Sequence, residues 1–235
     1  RFGILDRNAI TFANLLRDVG YKTGVAGKWQ LLGEYAGPGH FGFDEYCLWQ
    51  LTRRGRGHVS RYPNPGLAIN GKKVDYRNGE YGPDIVDEHI RDFITRSKDA
   101  PFFVYYPMIL PHFPFEPTPD SPDWNPAAPG ITRGEGDPKY FADMIRYTDR
   151  LVGKIVDALD ELGIRDNTLL LFTADNGTAR GLTSIRNGQP VEGGKLSSTD
   201  NGTHVPFIAN WPGVVPAGAV NGDLLCVTDF FPPML

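Results

Sequence analysis

Apolar runs of strand length alternate along this chain with amphipathic helical patterns, and that alternation confines it to α/β architectures. Thr11 can cap a helix over Phe12–Val19, where Phe12, Leu15, Leu16 and Val19 share one face and Gly20 ends the pattern. Pro83-Asp84 opens a second helix running to about Lys98, with Ile85, Val86, Ile90, Phe93 and Ile94 as its buried stripe. A third runs from Tyr140 to Leu162, with Met144, Ile145, Leu151, Val152, Ile155, Leu159 and Leu162 on its apolar face and Gly163 as its stop. Strand-like runs lie at Tyr21–Ala26, Pro101–Tyr106, Thr168–Phe172 and Val205–Asn210, with a weaker one at Leu224–Val227. The expected fold is α/β, a mainly parallel sheet flanked by helices on both faces. In it, the Leu169 run reads as a buried parallel strand.

Two Pro- and Gly-rich segments, 33–82 and 113–136, read as long irregular loops. One hairpin is expected in the first, because Asn70-Gly71 between apolar flanks is a strong turn signal. Trp49, Tyr62, Phe115 and Trp124 in these loops are candidate sugar or aryl platforms, against the plainer reading that they pack the loops.

The formal net charge is -4 and no basic stripe is present, so nothing in the chain has the footprint of a nucleic-acid binder. Arg53, Arg54 and Arg56 sit among glycines and read as a solvated loop. Two cysteines, Cys47 and Cys226, are too few for a disulfide framework. No apolar run is long enough for a membrane span. The chain begins at Arg1 and stops at Leu235 in what reads as the first turn of a helix, so it is expected to be an internal fragment of a longer protein.

Four polar clusters follow the strand-like runs: Lys28, His112, Asp175 with Asn176, and Lys195. In a parallel sheet such ends share one edge, where ligands bind. Two lysines can neutralise the non-bridging oxygens of a tetrahedral oxyanion. A histidine can donate to a leaving oxygen. A carboxylate beside an amide carbonyl offers hard oxygen donors, suited to calcium or magnesium more than zinc. Taken singly, each lysine is an ordinary surface charge, His112 a packed loop residue and Asp175-Asn176-Gly177 a turn. Their joint occurrence at corresponding strand ends favours a site.

The same residues resemble the sulfatases of the alkaline-phosphatase superfamily. Gly20-Tyr21-Lys22-Thr23-Gly24-Val25-Ala26-Gly27-Lys28-Trp29-Gln30-Leu31 is similar to the G-Y-x-T-x-x-x-G-K-W-H-L signature. Pro111-His112 resembles the P-H-x-P segment, and Phe172 to Gly177 the F-T-S-D-N-G metal segment. Gly193-Gly194-Lys195 with Val205-Pro206 and Trp211-Pro212-Gly213 resembles the G-G-K…V-P…W-P-G stretch. The resemblance implies an incomplete alkaline-phosphatase/sulfatase-like fold, with residues 1–235 forming part of a catalytic domain truncated at both ends. It implies that Lys28 binds the sulfate and the activated nucleophile's oxygen, that Lys195 holds the sulfate, and that His112 contacts the sulfate ester oxygen or assists the leaving group. Asp175 and Asn176 would bind one calcium ion whose remaining ligands lie upstream of residue 1. The implied reaction is S–O cleavage of a sulfate ester on a formylglycine nucleophile, with a small sulfate ester or a sulfated glycan as partner. A periplasmic or secreted location would go with it.

Two departures bear on that expectation. The nucleophile motif C-x-P-x-R or S-x-P-x-R is not in the chain; Cys47 precedes Leu48-Trp49 and Cys226 precedes Val227-Thr228. Gln30 stands where the signature has His, and an amide positions by hydrogen bonding but takes no proton near neutral pH. The sequons Asn176-Gly177-Thr178 and Asn201-Gly202-Thr203 are discounted as glycosylation sites, since the first would block the implied metal site. His40, His58 and His89 are assigned to loop or helix surface. Two further readings stay open: a phosphate or phosphonate ester hydrolase of the same superfamily, and a degenerate, non-catalytic binder of sulfated glycans.

Overall fold

The computed structural model describes residues 5–31, 33–51, 60–132 and 134–230. The basic cluster at Arg53, Arg54 and Arg56, and His58, lie outside the described residues. The chain divides into two compact units, Arg1–Ala158 with Asp223–Leu235, and Leu159–Gly222.

The first unit is built on a sheet. Helix α1 (Phe12–Asp18) starts where the sequence places it: Thr11 accepts from Asn14 N, and Asn14 reaches back to Thr11 N, closing a capping box. Strand β1 (Lys22–Lys28) follows, then a short helix α2 (Gly37–His40), β2 (Glu45–Trp49), β3 (Gly66–Ile69) and β4 (Lys72–Asp75). Helix α3 (Gly82–Ser97), β5 (Phe102–Tyr105) and α4 (Phe141–Glu161), whose last turn enters the second unit, complete the series. The sheet order is β4-β3-β2-β1-β5. The central β1 is parallel to both β2 and β5, while β3 and β4 add antiparallel strands at one edge.

The described part of segment 33–82 is therefore not irregular throughout, contrary to expectation. It contributes β2, buried from Tyr46 to Trp49 beside the central strand. The β3–β4 hairpin lies where Asn70-Gly71 signals it. Ile69 pairs with Lys72, and both turn residues adopt positive φ (44° and 85°), as a two-residue primed turn requires. The described residues of segment 113–136 hold no helix or strand, only an isolated bridge between Phe115 and Gly136.

Helices cover both faces of the sheet because neighbouring strand residues point opposite ways. Val25 packs with Ala13 of α1, Trp29, Phe41, Phe43, Tyr46 and Leu48 in one cluster. On the other face, a Cβ on Gly24 would lie 3.2 Å from the Phe93 ring of α3, so the missing side chain lets this helix sit close. Val86, Ile90, Phe93 and Ile94 are buried as their spacing predicts. Each large side chain so buried contributes roughly 1.5–3 kcal/mol. His89 is not a surface residue as expected. It is half-buried, its Nε2 has no partner, and burial holds its pKa below the ordinary value. Helix α4 buries Met144 and Leu151 but leaves Ile145 exposed, one departure from its predicted stripe. It is fastened to the first turn of α3 through Asp84, which accepts from Tyr147 Oη (2.6 Å) and Lys154 Nζ (3.2 Å).

The second unit holds β6 (Leu170–Thr173), the hairpin β7 (Thr183–Arg186) and β8 (Gln189–Glu192), a short helix α5 (Asp200–Thr203) and β9 (Phe207–Asn210). Strand β6 pairs antiparallel with β9 and is only half-buried, so it is not the buried parallel strand its apolar run suggests. An apolar run reports that a segment seeks burial, not which strand it will pair with. Leu224–Val227 forms no strand; a 3-10 turn occupies Val227–Phe230.

Candidate active site

Lys28, Gln30 and His112 lie in the first unit, at the C-terminal edge of its parallel strands. Lys28 ends β1 in register with Trp49, the last residue of β2. Its N–H donates to Pro107 O at 2.8 Å, which joins the end of β1 to the segment running from β5 to His112. Gly27 makes that approach feasible: its φ is 129°, and a Cβ there would lie 2.1 Å from the same carbonyl oxygen. Trp29 is buried between Phe41 and Phe43, each ring 6.4 Å away, so the residues on either side of it are held at the edge.

Gln30 donates through Nε2 to Gln50 Oε1 at 2.9 Å. Gln50 directly follows β2 and takes a left-handed φ of 65°, a conformation that is rare for a residue with a side chain. The amide in the position of the signature histidine is thus tied to a second amide on the neighbouring strand.

His112 is half-buried, with its main chain held by its N–H to Ile109 O (3.3 Å) and by its carbonyl, which accepts from Tyr62 Oη. Its Nδ1 lies 3.2 Å from Arg61 Nη1 and 2.7 Å from Phe113 O. The Arg61 guanidinium stacks on Trp49, 3.9 Å from the ring centroid. Tyr62 (0% exposed), Trp49 and Phe115 are core residues, which removes them as sugar platforms; Trp124, half-buried, stands edge-on to Tyr81. Near His112 in sequence, the buried Glu116 accepts from Ile131 N through Oε1 (2.7 Å), while Oε2 has no partner. Burial pushes this carboxyl up to about 7.

Asp175, Asn176 and Lys195 lie together in the second unit, in a knot of loops tightened by glycines. Asp175 is exposed and Asn176 half-buried, just past the end of β6. Gly177 N donates to Gly202 O (2.9 Å), and Lys195 N donates to Thr178 O (3.0 Å). The loop carrying Lys195 is thereby fixed to the loop carrying Asp175. A Cβ on Gly193 would lie 1.9 Å from Ala179 O, and one on Gly177 2.1 Å from Asn201 O, so neither loop has room for a side chain there. Asn201 is engaged in this knot through Nδ2 to Glu192 O (2.8 Å). Asp175 and Asn176 supply a carboxylate and an amide oxygen, which suits a hard divalent cation but fills only part of a shell of about 6–8 ligands. Among the described residues no group of three or more His, Cys, Asp or Glu could hold a metal ion.

Arg61, Gln50 and Glu116 are the residues that sequence reasoning missed. Arg61 and Glu116 sit in Pro- and Gly-rich stretches without periodicity, and Gln50 becomes visible only once β2 is paired with β1.

The sequence pattern of the family described as Sulfatase matches residues 4–235. The chain belongs to the sulfatase family. It is 30% identical to an N-acetylgalactosamine-6-O-sulfatase of Bacteroides thetaiotaomicron, over 90% of this chain and 53% of that protein. It is 29% identical to the N-acetylgalactosamine-6-sulfatase of Homo sapiens, over 92% of this chain and 42% of the other. The sulfatase chain thus spans about half the length of the curated relatives it matches. Among solved structures, Ps i-CgsB superposes with a TM-score of 0.71 at 28% identity, covering 93% of this chain and 51% of that one. The same protein is known in complex with k-i-k-neocarrahexaose. No helix among the described residues is long and apolar enough to cross a membrane.

Proposed function

We propose that this chain forms part of the catalytic domain of a sulfatase that hydrolyses a sulfate ester on a glycan. The observation that carries the reading is the placement of Lys28 and the His112 segment at one edge of two paired parallel strands, joined through Lys28 N and Pro107 O. Relatives named N-acetylgalactosamine-6-O-sulfatase and N-acetylgalactosamine-6-sulfatase, and a relative crystallised with k-i-k-neocarrahexaose, support the glycan class.

In this reading Lys28 neutralises charge on the non-bridging sulfate oxygens, the role that the resemblance also gives to Lys195. Gln30, held by Gln50, orients the bound group by hydrogen bonding without titrating. His112 donates a hydrogen bond to the departing alcohol oxygen. Asp175 and Asn176 would hold a calcium ion, which supplies positive charge against the sulfate and its attacking group. The nucleophile, by resemblance a formylglycine, is not among these residues, because neither cysteine has the required context. The 235-residue chain alone is therefore expected to be inactive and to bind calcium weakly.

The test is sulfate release by the complete protein from 6-sulfated N-acetylgalactosamine and carrageenan oligosaccharides, with phosphate esters in parallel. Lys28→Ala and His112→Ala should each lower kcat by roughly 10²-fold or more. Phosphate release without sulfate release would mean a phosphohydrolase, and binding without turnover a lectin-like role.

A further inference from the structure

Arg61 and Phe113 ask opposite things of Nδ1 of His112. The Arg61 guanidinium, 3.2 Å away, only donates, so that contact is a hydrogen bond only when Nδ1 carries a lone pair. The Phe113 carbonyl, 2.7 Å away, only accepts, so that contact requires a proton on Nδ1. One nitrogen cannot serve both. The neutral ring therefore has two alternatives: Nδ1 accepting from Arg61 with the proton on Nε2, or Nδ1–H donating to Phe113 O with Nε2 unprotonated.

We propose that Arg61 is a positioning residue that selects the Nε2–H form of His112 and so makes this histidine a hydrogen-bond donor towards the leaving oxygen. Arg61 is well placed to do so. Its guanidinium carbon sits over the Trp49 ring, 3.9 Å from the centroid, a cation–π contact that holds the donors in place. Trp49 is buried and in register with Lys28, so the stacking surface belongs to the rigid centre of the sheet. The histidine is held just as firmly from the main chain, where Tyr62, the next residue after Arg61, donates to the His112 carbonyl. The pair Arg61-Tyr62 thus fixes both the backbone and the ring of His112. A neutral imidazole with its proton on Nε2 can donate a hydrogen bond to the charge that develops on a leaving oxygen, keeping its proton; the other tautomer can only accept there. The catalytic consequence rests on the sulfatase reading, while the tautomer assignment does not.

The experiment is ring-nitrogen NMR on the complete protein labelled with 15N at histidine, with the His112 signals identified by their loss in His112→Gln. The expected wild-type spectrum shows an unprotonated Nδ1 and a protonated Nε2. Arg61→Met keeps an apolar stem against Trp49 but removes the donor, and it should move the proton to Nδ1. Arg61→Gln returns an N–H donor and should restore part of the Nε2–H signal. Circular dichroism confirms that each variant is folded. In turnover, Arg61→Met should lower kcat roughly 10- to 100-fold with KM changed by less than about threefold, since a donor is lost and no sulfate ligand is. A protonated Nδ1 in the wild type, or an unchanged spectrum in Arg61→Met, overturns the proposal. A tautomer switch in a protein that never releases sulfate overturns the sulfatase reading and leaves the Arg61–His112 assignment standing.

Discussion

Gln30 and Gln50 form an amide pair across the ends of two parallel strands, with Nε2 of Gln30 donating to Oε1 of Gln50 at 2.9 Å. Each side chain fixes the other. Gln30→Ala and Gln50→Ala should therefore have similar effects on turnover, and the double variant should be little worse than either single one. Each single change should cost about 1 kcal/mol of stability. Gln30→His should not introduce a new pH limb unless the imidazole reaches the reacting atoms. Simple addition of the two alanine effects would show that the amides act independently.

Glu116 should make the protein more stable in mild acid than at alkaline pH. Its carboxyl is buried, one oxygen is unpaired, and burial pushes it up to about 7. Between the ordinary glutamate range and that value the folded protein holds a proton that the unfolded chain has released. Folding takes up a proton there, so stability falls as pH rises through this window. The loss, at most about 3 kcal/mol, is complete above the folded pKa. Glu116→Gln keeps an oxygen for Ile131 N and removes the charge. Urea midpoints at pH 5 and pH 8 should differ less in this variant than in the wild type. An equal difference in both would assign the pH dependence elsewhere.

The parts of the molecule that the chain states locally were legible in it. Thr11, Gly20, Pro83 and Gly163 mark helix ends through capping and φ, and Asn70-Gly71 marks a hairpin through its primed turn. The same turn at Asn187-Gly188, with φ of 52° and 77°, closes β7–β8 and carried the same signal without being read. What local signals do not carry is pairing. The run from Glu45 to Trp49 is short and set among glycines, so its place beside β1 emerges only from the sheet. Likewise β6 is apolar enough for a central strand yet pairs antiparallel with β9. Lys28, His112, Asp175 and Lys195 could be singled out because each lies at or beyond the end of a strand. Arg61 could not, because its partners Trp49 and His112 reach it from other segments of the chain.

Gly27→Ala should be among the most destabilising single-methyl additions in the first unit. The new Cβ would lie 2.1 Å from Pro107 O while φ stands at 129°, so it meets backbone and adopts a disfavoured conformation together. Overpacking against main chain costs roughly 1–3 kcal/mol, and the unfavourable φ adds to it. Relief would have to separate Lys28 N from Pro107 O, which moves Lys28 at the same time. The denaturation midpoint and turnover should fall together. A variant with wild-type stability would mean that the Pro107 segment yields freely, and that the edge carrying Lys28 and His112 is not rigid.

Gly193→Ala should separate function from stability in the second unit. Its Cβ would lie 1.9 Å from Ala179 O and 2.8 Å from Thr178 O, the carbonyl that accepts from Lys195 N. Both neighbours are backbone, so the clash cannot be relieved by turning a side chain; the two loops must part. Gly193 lies in a loop, outside the β6–β9 and β7–β8 pairings, and those ladders can persist while Lys195 shifts. A displacement of about 1 Å at a group that binds the reacting anion can cost roughly 10²-fold in rate. The expected result in the complete protein is a fall in kcat/KM of that order with the thermal midpoint lowered by only a few degrees. Lys195→Ala in the same background should then add little, because the lysine is already out of place. A full additional loss on Lys195→Ala would show that Gly193 does not act through Lys195.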